Sequence, residues 1–259
     1  MKIALITGAS SGLGREYVRQ ALNDASLDEI WVVARRKQRL VELQQKYGDR
    51  IIPVTMDLSS GEDIRRLNDM LEDAAKKGPF EIGLLVNAAG LGKFGTYADI
   101  GLQEVDAMID INCRALVEVT QIALHYMHAG GKILQIASSA SFQPLPGLNV
   151  YAASKAFVRS YTRALRFELR GRKISVTAVC PIWIKTEFID VARMTQNGQT
   201  VKHPQPLLSP EHVVHWSMMI NKINYPIATC CVSGFIMRIA GKILPAPLLM
   251  WAWEGLRRI

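Results

Sequence analysis

The stretch "KIALITGASSGLGREYV" (2–18) decides the fold. A short apolar run, "KIALIT" (2–7), is followed by a Gly/Ser turn and then by a helical pattern from about residue 12. Gly8, Gly12 and Gly14 form G-x-x-x-G-x-G. The missing side chains permit a tight turn and let backbone N–H groups approach a pyrophosphate at the helix N-terminus. A glycine-rich turn alone is often only a loop, but a strand before it and a helix after it are the context a dinucleotide site requires. Ser10 and Ser11 add hydroxyl donors, Leu13 lies inside the turn, and Arg15 at the helix start is placed to assist. No Gly-Lys-Ser/Thr follows, which excludes a lysine-containing P-loop.

Outward from this unit the same rhythm repeats. Apolar runs recur at "EIWVVA" (29–34), "RIIPVTM" (50–56), "IGLLVN" (82–87), "KILQIAS" (132–138) and "KISVTAV" (173–179). Helical patterns separate them near 12–24, 37–47, 60–77, 101–129 and 150–170. Strands that are apolar throughout and joined by helical crossovers predict a parallel sheet covered on both faces. The expectation is an α/β, doubly wound, Rossmann-like single domain over 1–259, with ligands at the carboxyl ends of the strands. After Pro181 the rhythm breaks. Pro204, Pro206 and Pro210 mark a long excursion, read as a substrate loop over about 186–210.

Bulk properties narrow the classes of function. The chain has 259 residues, 49% hydrophobic and 21% charged, and a net charge of +8. Its basic residues are scattered, in "RRK" (35–37), "KK" (76–77), "RGRK" (170–173) and "RR" (257–258), so no nucleic-acid partner is expected. Cys113, Cys180, Cys230 and Cys231 show neither metal-type spacing nor a disulfide framework, and the N-terminus is too short for a signal-peptide core. Reduced thiols and a cytoplasmic location follow. The histidine pairs His125/His128 and His212/His215 lack a third ligand, so no metal is expected.

An apolar C-terminal segment, about 227–259, is interrupted by Arg238, Lys242, Pro245 and Pro247 before it reaches the roughly 20 clean residues of a membrane span. Packing on the core or on a second subunit is the expected role. Peripheral contact with a membrane surface, or a cover over a lipid-like substrate, is the alternative. A homo-oligomer, dimer or tetramer, is expected.

The second run ends "WVVARRKQRL", with Ala34, Arg35 and Arg36 where a NAD site would want a carboxylate for the ribose 2′-OH. Arginine suits a 2′-phosphate, so the cofactor is predicted to be NADP(H). After the third run, Asp57 and Leu58 stand where an adenine edge would lie, although Asp57 equally suits a cap for the next helix. Further along, "YAASK" (151–155) places Tyr151 and Lys155 one helical turn apart on one face. A neighbouring cation is expected to lower the phenol from its usual pKa of about 10 toward a useful range.

Together "TGASSGLG" (7–14), "NAAG" (87–90), "IN" (111–112), Ser138 and "YAASK" resemble the short-chain dehydrogenase/reductase family over nearly all of residues 1–190. The resemblance implies that Asn87, Ala88, Ala89 and Gly90 stabilise the central sheet and border the cofactor. It implies that Asn112 organises a water and that Ser138 hydrogen-bonds the substrate oxygen. Tyr151 would exchange the proton, and Lys155 would bind the ribose. Ser138 lies the usual thirteen residues before Tyr151; Ser139 is second choice, and Ser141 stands where the family usually has Gly. Pro181, Ile184 and Thr186 map onto cofactor-contacting positions. Ile182 departs from the family, which commonly has Gly there, and this puts the geometry beside the nicotinamide in question. Trp183 is read as a substrate wall or as core. The implied activity is interconversion of a ketone or aldehyde and an alcohol, on a hydrophobic small molecule. A non-catalytic NADP-binding sensor on the same fold is the alternative.

Overall fold

In the computed structural model, which describes residues 1–195 and 207–256, seven parallel strands form one sheet in the order β3-β2-β1-β4-β5-β6-β7. The strands are β1 (Lys2–Thr7), β2 (Glu29–Ala34), β3 (Ile51–Thr55), β4 (Glu81–Asn87), β5 (Lys132–Ile136), β6 (Ser175–Val179) and β7 (Ile227–Ala228). Side chains alternate across each strand, so two apolar cores result. Ile3, Leu5, Trp31 and Val33 face one of them, against α3 (Gly61–Lys76), α5 (Ala115–Leu124) and α6 (Asn149–Glu168). Ala4, Ile6, Ile30 and Val32 face the other, against α1 (Gly12–Ala21), α2 (Lys37–Tyr47) and α8 (Pro210–Lys222). The expected doubly wound fold is therefore present. Its strand order reverses between β1 and β4, and this opens a crevice at their carboxyl ends.

Three features differ from the sequence expectation. The helix expected over 101–129 is α4 (Leu102–Ile109), a π-helical turn at Asp110–Arg114, and α5, which ends at Leu124. The π turn carries Asn112, and such turns are frequent at functional sites. The loop expected over 186–210 contains α7 (Glu187–Arg193), and Ile184 bridges Leu208 in parallel; Pro204 and Pro206 lie outside the described residues. The apolar C-terminal segment starts with β7, whose two residues pair with Ala178 and Val179, and continues as α9 (Val232–Ile243) and α10 (Ala246–Leu256). Two residues carry no readable period, so this edge strand exists only through its pairing.

Small residues let α9 lie close to the body of the protein. A Cβ at Gly241 would stand 2.4 Å from the Phe142 carbonyl oxygen, and one at Gly234 would stand 2.8 Å from that of Thr229. The opposite face of α9 exposes Val232, Phe235, Ile236, Ile239 and Ile243. No described helix is long and apolar enough to cross a membrane.

Candidate active site

The glycine turn is built by close approach. Gly8 has φ +67°, and a Cβ there would meet the Ala88 carbonyl carbon and the Ala89 nitrogen at 2.6 Å. A Cβ at Gly14 would stand 2.2 Å from Gly8 O, so only glycine lets the first turn of α1 fold onto the loop. Thr7 anchors the neighbouring segment, its Oγ1 accepting from Ala89 N at 3.1 Å.

A cavity of about 410 Å³ extends from this turn across the carboxyl ends of the strands. Gly8, Ser10, Ser11, Gly12, Leu13 and Gly14 line it, as do Arg35, Arg36, Asp57 and Leu58. Ala88, Ala89, Gly90, Ser138, Tyr151, Lys155, Pro181, Trp183, Ile184 and Thr186 complete the predicted set that meets there. Arg15 is set apart: it is exposed and does not line the cavity. Asn87 and Asn112 are buried, do not line the cavity and are hydrogen-bonded to protein. Asn87 Nδ2 donates to Thr120 Oγ1 and Gln135 Oε1, both at 2.9 Å, which ties β4 to β5 and α5. The cradle that Cβ atoms at Gly8 and Gly14 would fill, with arginines at the end of β2, fits the pyrophosphate and adenosine half of a dinucleotide.

At the adenosine end, Arg36 donates from Nε and Nη2 to Ser10 Oγ at 3.2 and 3.0 Å. Its Nη1 donates to Glu187 Oε2 at 2.8 Å, and Arg39 donates to Glu187 Oε1. These two guanidinium groups hold the Glu187 carboxyl below the usual carboxylate range. Arg35 is the more exposed arginine and approaches Asp57 at 3.9 Å. Asp57 Oδ1 accepts from Ser59 N and Oγ, and the cap of α3 is Ser60, whose Oγ accepts from Asp63 N at 3.3 Å. Asp57 is thus not the helix cap, because Ser60 is one residue from the first helical position and reaches the orphan N–H first.

At the reacting end, α6 presents Tyr151 and Lys155 to the cavity. Ser138 lines the cavity with Tyr151, and its Oγ accepts from Ala140 N at 3.1 Å. Ser141 points elsewhere, to Cys180 Sγ at 3.8 Å. The Tyr151 ring lies 6.4 Å edge-on from Phe94 and 5.7 Å from Phe188. Enclosure by these neighbours pushes the phenol up to about 12, with the Ser138 hydroxyl opposing. Burial pulls Lys155 down to about 8. The expected lowering of the tyrosine by the lysine is absent from this arrangement. Lys155 Nζ lies 5.9 Å from the tyrosine ring centroid and donates to Ile136 O at 2.8 Å, at the end of β5. Desolvation outweighs a cation that is not on the phenolic oxygen.

Asn112 joins this centre to the segment after β4. Its Oδ1 accepts from Leu91 N at 2.9 Å, and its Nδ2 donates to Leu91 O at 2.8 Å and to Ser154 Oγ at 2.9 Å. Its side-chain amide is therefore occupied by protein groups. A Cβ at Gly90 would stand 3.3 Å from Asn112 Oδ1 and 3.4 Å from Lys155 Nζ, so the three residues meet.

The wall beyond Tyr151 is apolar. Trp183 packs edge-on against Phe94 at 5.5 Å and also lines the cavity. Ile182 requires no glycine-like backbone: the described non-glycine residues with positive φ are Lys173, Asn224 and Cys230. Its side chain extends toward α9, where a Cβ at Gly234 would stand 3.5 Å away.

Sequence reasoning missed Arg39, Glu187, Phe94, Phe188, Met237 and Trp253. Arg39 was findable, because it follows Arg36 by three residues and so shares its helix face. Trp253 was not, since α10 reaches the site from more than 100 residues away and is held by Trp253 Nε1 donating to Pro146 O at 2.8 Å. Among the described residues no group of three or more His, Cys, Asp or Glu is placed to hold a metal ion. All four cysteines are free.

A family model described as short chain dehydrogenase matches residues 2–197. A sulfoacetaldehyde reductase of Chromohalobacter salexigens is 38% identical over 192 residues, covering 72% of this chain and 74% of that protein. Among solved structures, a closed serine dehydrogenase complexed with NADP+ is 29% identical with a TM-score of 0.70, covering 88% of this chain and 94% of that one. A 3-ketoacyl-(acyl-carrier-protein) reductase from Brucella melitensis complexed with NADH is 25% identical with a TM-score of 0.72, covering 88% and 95%.

Proposed function

The chain belongs to the short-chain dehydrogenase family, and from that premise we propose that it is an NADP(H)-dependent oxidoreductase interconverting a hydrophobic ketone or aldehyde and its alcohol. The observation that carries this reading is the meeting of Ser138, Tyr151 and Lys155 with the glycine turn in one cavity. When bound, the nicotinamide supplies or accepts the hydride. The chain's own residues orient and protonate. Ser138 and the Tyr151 phenol donate to the substrate oxygen, and Tyr151, held protonated by its enclosure, gives its proton to that oxygen in reduction. Lys155 would hold the cofactor ribose from its place at the end of β5, 5.9 Å from the Tyr151 ring centroid. The NADP(H) preference is supported by Arg36 and Arg39 and by the absence of a carboxylate at the end of β2. Phe94, Trp183, Phe188 and Trp253 support an apolar substrate.

The test is turnover of a panel of hydrophobic ketones, followed by cofactor absorbance with NADPH and with NADH. A higher kcat/KM with NADPH is expected. Preference for NADH would overturn the cofactor assignment, and tight cofactor binding with no ketone reduced would favour a sensor.

A second reading concerns the partners. The apolar outer faces of α9 and α10, including Phe235, Ile236, Ile243 and Trp251, support peripheral contact with a membrane surface. Arg238, which lies near Arg159, and Lys242 on α9 favour an anionic one, and no acidic residue lies between 227 and 253. Exposed Ile109, Phe157 and Phe167 on α4 and α6 leave a separate face for a homo-oligomer. The free thiols support a cytoplasmic location. Sedimentation with anionic vesicles, lost on Ile236→Asp, checks the membrane contact; equal sedimentation of both proteins would overturn it.

A further inference from the structure

Glu187 sits on the arginines that the cofactor reading assigns to a phosphate. As the first residue of α7 it brings one carboxylate to two guanidinium groups, Arg36 at 2.8 Å and Arg39. The same Arg36 donates twice to Ser10 Oγ in the glycine turn, and Arg39 Nη1 lies 3.5 Å from Ser10 O. Glu187, Arg36 and Ser10 all line the cavity. The donors suited to a 2′-phosphate are therefore already engaged by an anion of the chain itself.

This arrangement is not explained by stability. The side chains of both ion pairs are roughly two-fifths exposed, at 43% and 38% for Arg36 and Glu187 and 39% for Arg39. Pairs so open to water contribute little to folding. α7 also touches the reacting centre: Phe188, its second residue, packs 5.7 Å from Tyr151, and Ala192 O near its far end accepts from Phe94 N at 2.8 Å. One short helix thus connects the arginines to the tyrosine.

Resting on the NADP(H) reading above, we propose that Glu187 is the internal occupant of the 2′-phosphate position and is displaced only by a 2′-phosphorylated cofactor. A phosphate monoester carries between one and two negative charges near neutrality and offers three acceptor oxygens, so it outcompetes one carboxylate for two guanidinium forks. A 2′-hydroxyl cannot, and NADH leaves the Glu187 pairs in place. Glu187 therefore lowers the affinity for NADPH and narrows the discrimination between the two cofactors. Its displacement frees the first turn of α7, which makes the position of Phe188 responsive to the phosphate.

The experiment measures dissociation constants by calorimetry for NADPH, NADH, 2′,5′-ADP and 5′-AMP, on the wild type, Glu187→Gln and Glu187→Asp. Glu187→Gln should bind NADPH and 2′,5′-ADP on the order of tenfold more tightly, from loss of a competing charge held by two exposed pairs. NADH and 5′-AMP should change less than about twofold, and Glu187→Asp, which keeps the charge, should stay closer to the wild type. Amide hydrogen exchange across 187–193 should be faster with 2′,5′-ADP than with 5′-AMP in the wild type and equal for both in Glu187→Gln. Thermal melting confirms that each variant is folded. Unchanged or weaker NADPH binding by folded Glu187→Gln overturns the inference, as does equal tightening for both cofactors, which signals relief of crowding and not of charge. If the wild type prefers NADPH and Glu187→Gln leaves that preference unaltered, the inference fails while the cofactor reading stands. If both proteins prefer NADH, both fall.

Discussion

Replacing Asn112 by Ala should destabilise the protein by about 3–5 kcal/mol. The side chain is fully buried and makes three hydrogen bonds, two with the Leu91 backbone and one with Ser154 Oγ. Each bond contributes about 1 kcal/mol net, and the truncation strands a buried N–H and C=O of Leu91, whose desolvation costs about 1–3 kcal/mol apiece before relaxation. Partial access of water to the Leu91 segment, which is only half-buried, brings the total down to the stated range. Urea unfolding reads this directly, as a lowered midpoint at unchanged slope. A second readout separates scaffold from chemistry. Leu91 follows Gly90, which abuts both Asn112 and Lys155, so the folded fraction of Asn112→Ala should lose kcat more than cofactor affinity. A variant that unfolds within about 1 kcal/mol of the wild type would refute the reasoning, because it would mean that water replaces all three bonds.

Three further outcomes follow from the same geometry. Tyr151→Phe should keep NADPH binding within a few-fold and lose nearly all turnover, since the phenolic oxygen is the proposed proton donor; substantial ketone reduction by this variant would remove Tyr151 from that role. The Lys155 ammonium is depressed to about 8 from 10.5, so between these values the unfolded chain holds a proton that the folded chain has released. Lys155 should therefore add a rising contribution to the stability of the cofactor-free protein from pH 8 to 10.5, opposed above pH 9 by the buried Cys180 and Cys230 thiols, both pushed up from 9.0, and above pH 10 by Tyr151, whose phenol is raised to about 12. Lys155→Met should abolish the rise, and identical pH profiles for the two proteins would refute it. Gly14→Ala should be destabilising although a helical Gly→Ala change ordinarily gains about 0.5–1 kcal/mol. The new Cβ would stand 2.2 Å from Gly8 O, and such overpacking costs about 1–3 kcal/mol; a melting temperature at or above that of the wild type, with undiminished NADPH binding, would contradict the close approach.

Much of this molecule is legible without coordinates because its signals are local. Six of the seven strands are apolar runs bounded by turns, and the glycines of residues 8–14 announce a turn that only small residues can make. Tyr151 and Lys155 share a helix face by spacing alone, and Ser138 lies at a readable interval from them. Local patterns are set by backbone geometry, which has the same period in any protein.

What the sequence did not contain is whatever depends on distant segments meeting. The pKa of Tyr151 is one case: spacing predicts a nearby cation, but the phenol is raised because Phe94 and Phe188 enclose it and because Lys155 reaches instead to Ile136 O. The edge strand β7 is another, since Ile227–Ala228 is a strand only beside β6. Trp253 closes the pocket from the far end of the chain, and Glu187 meets Arg36 and Arg39 across about 150 residues. By itself the sequence determined the sheet, the glycine cradle and the shared helix face of Tyr151 and Lys155, each of them a matter of short-range geometry. Tertiary structure alone decided the electrostatics of the site, since desolvation and charge pairing are set by which remote side chains come to share a cavity.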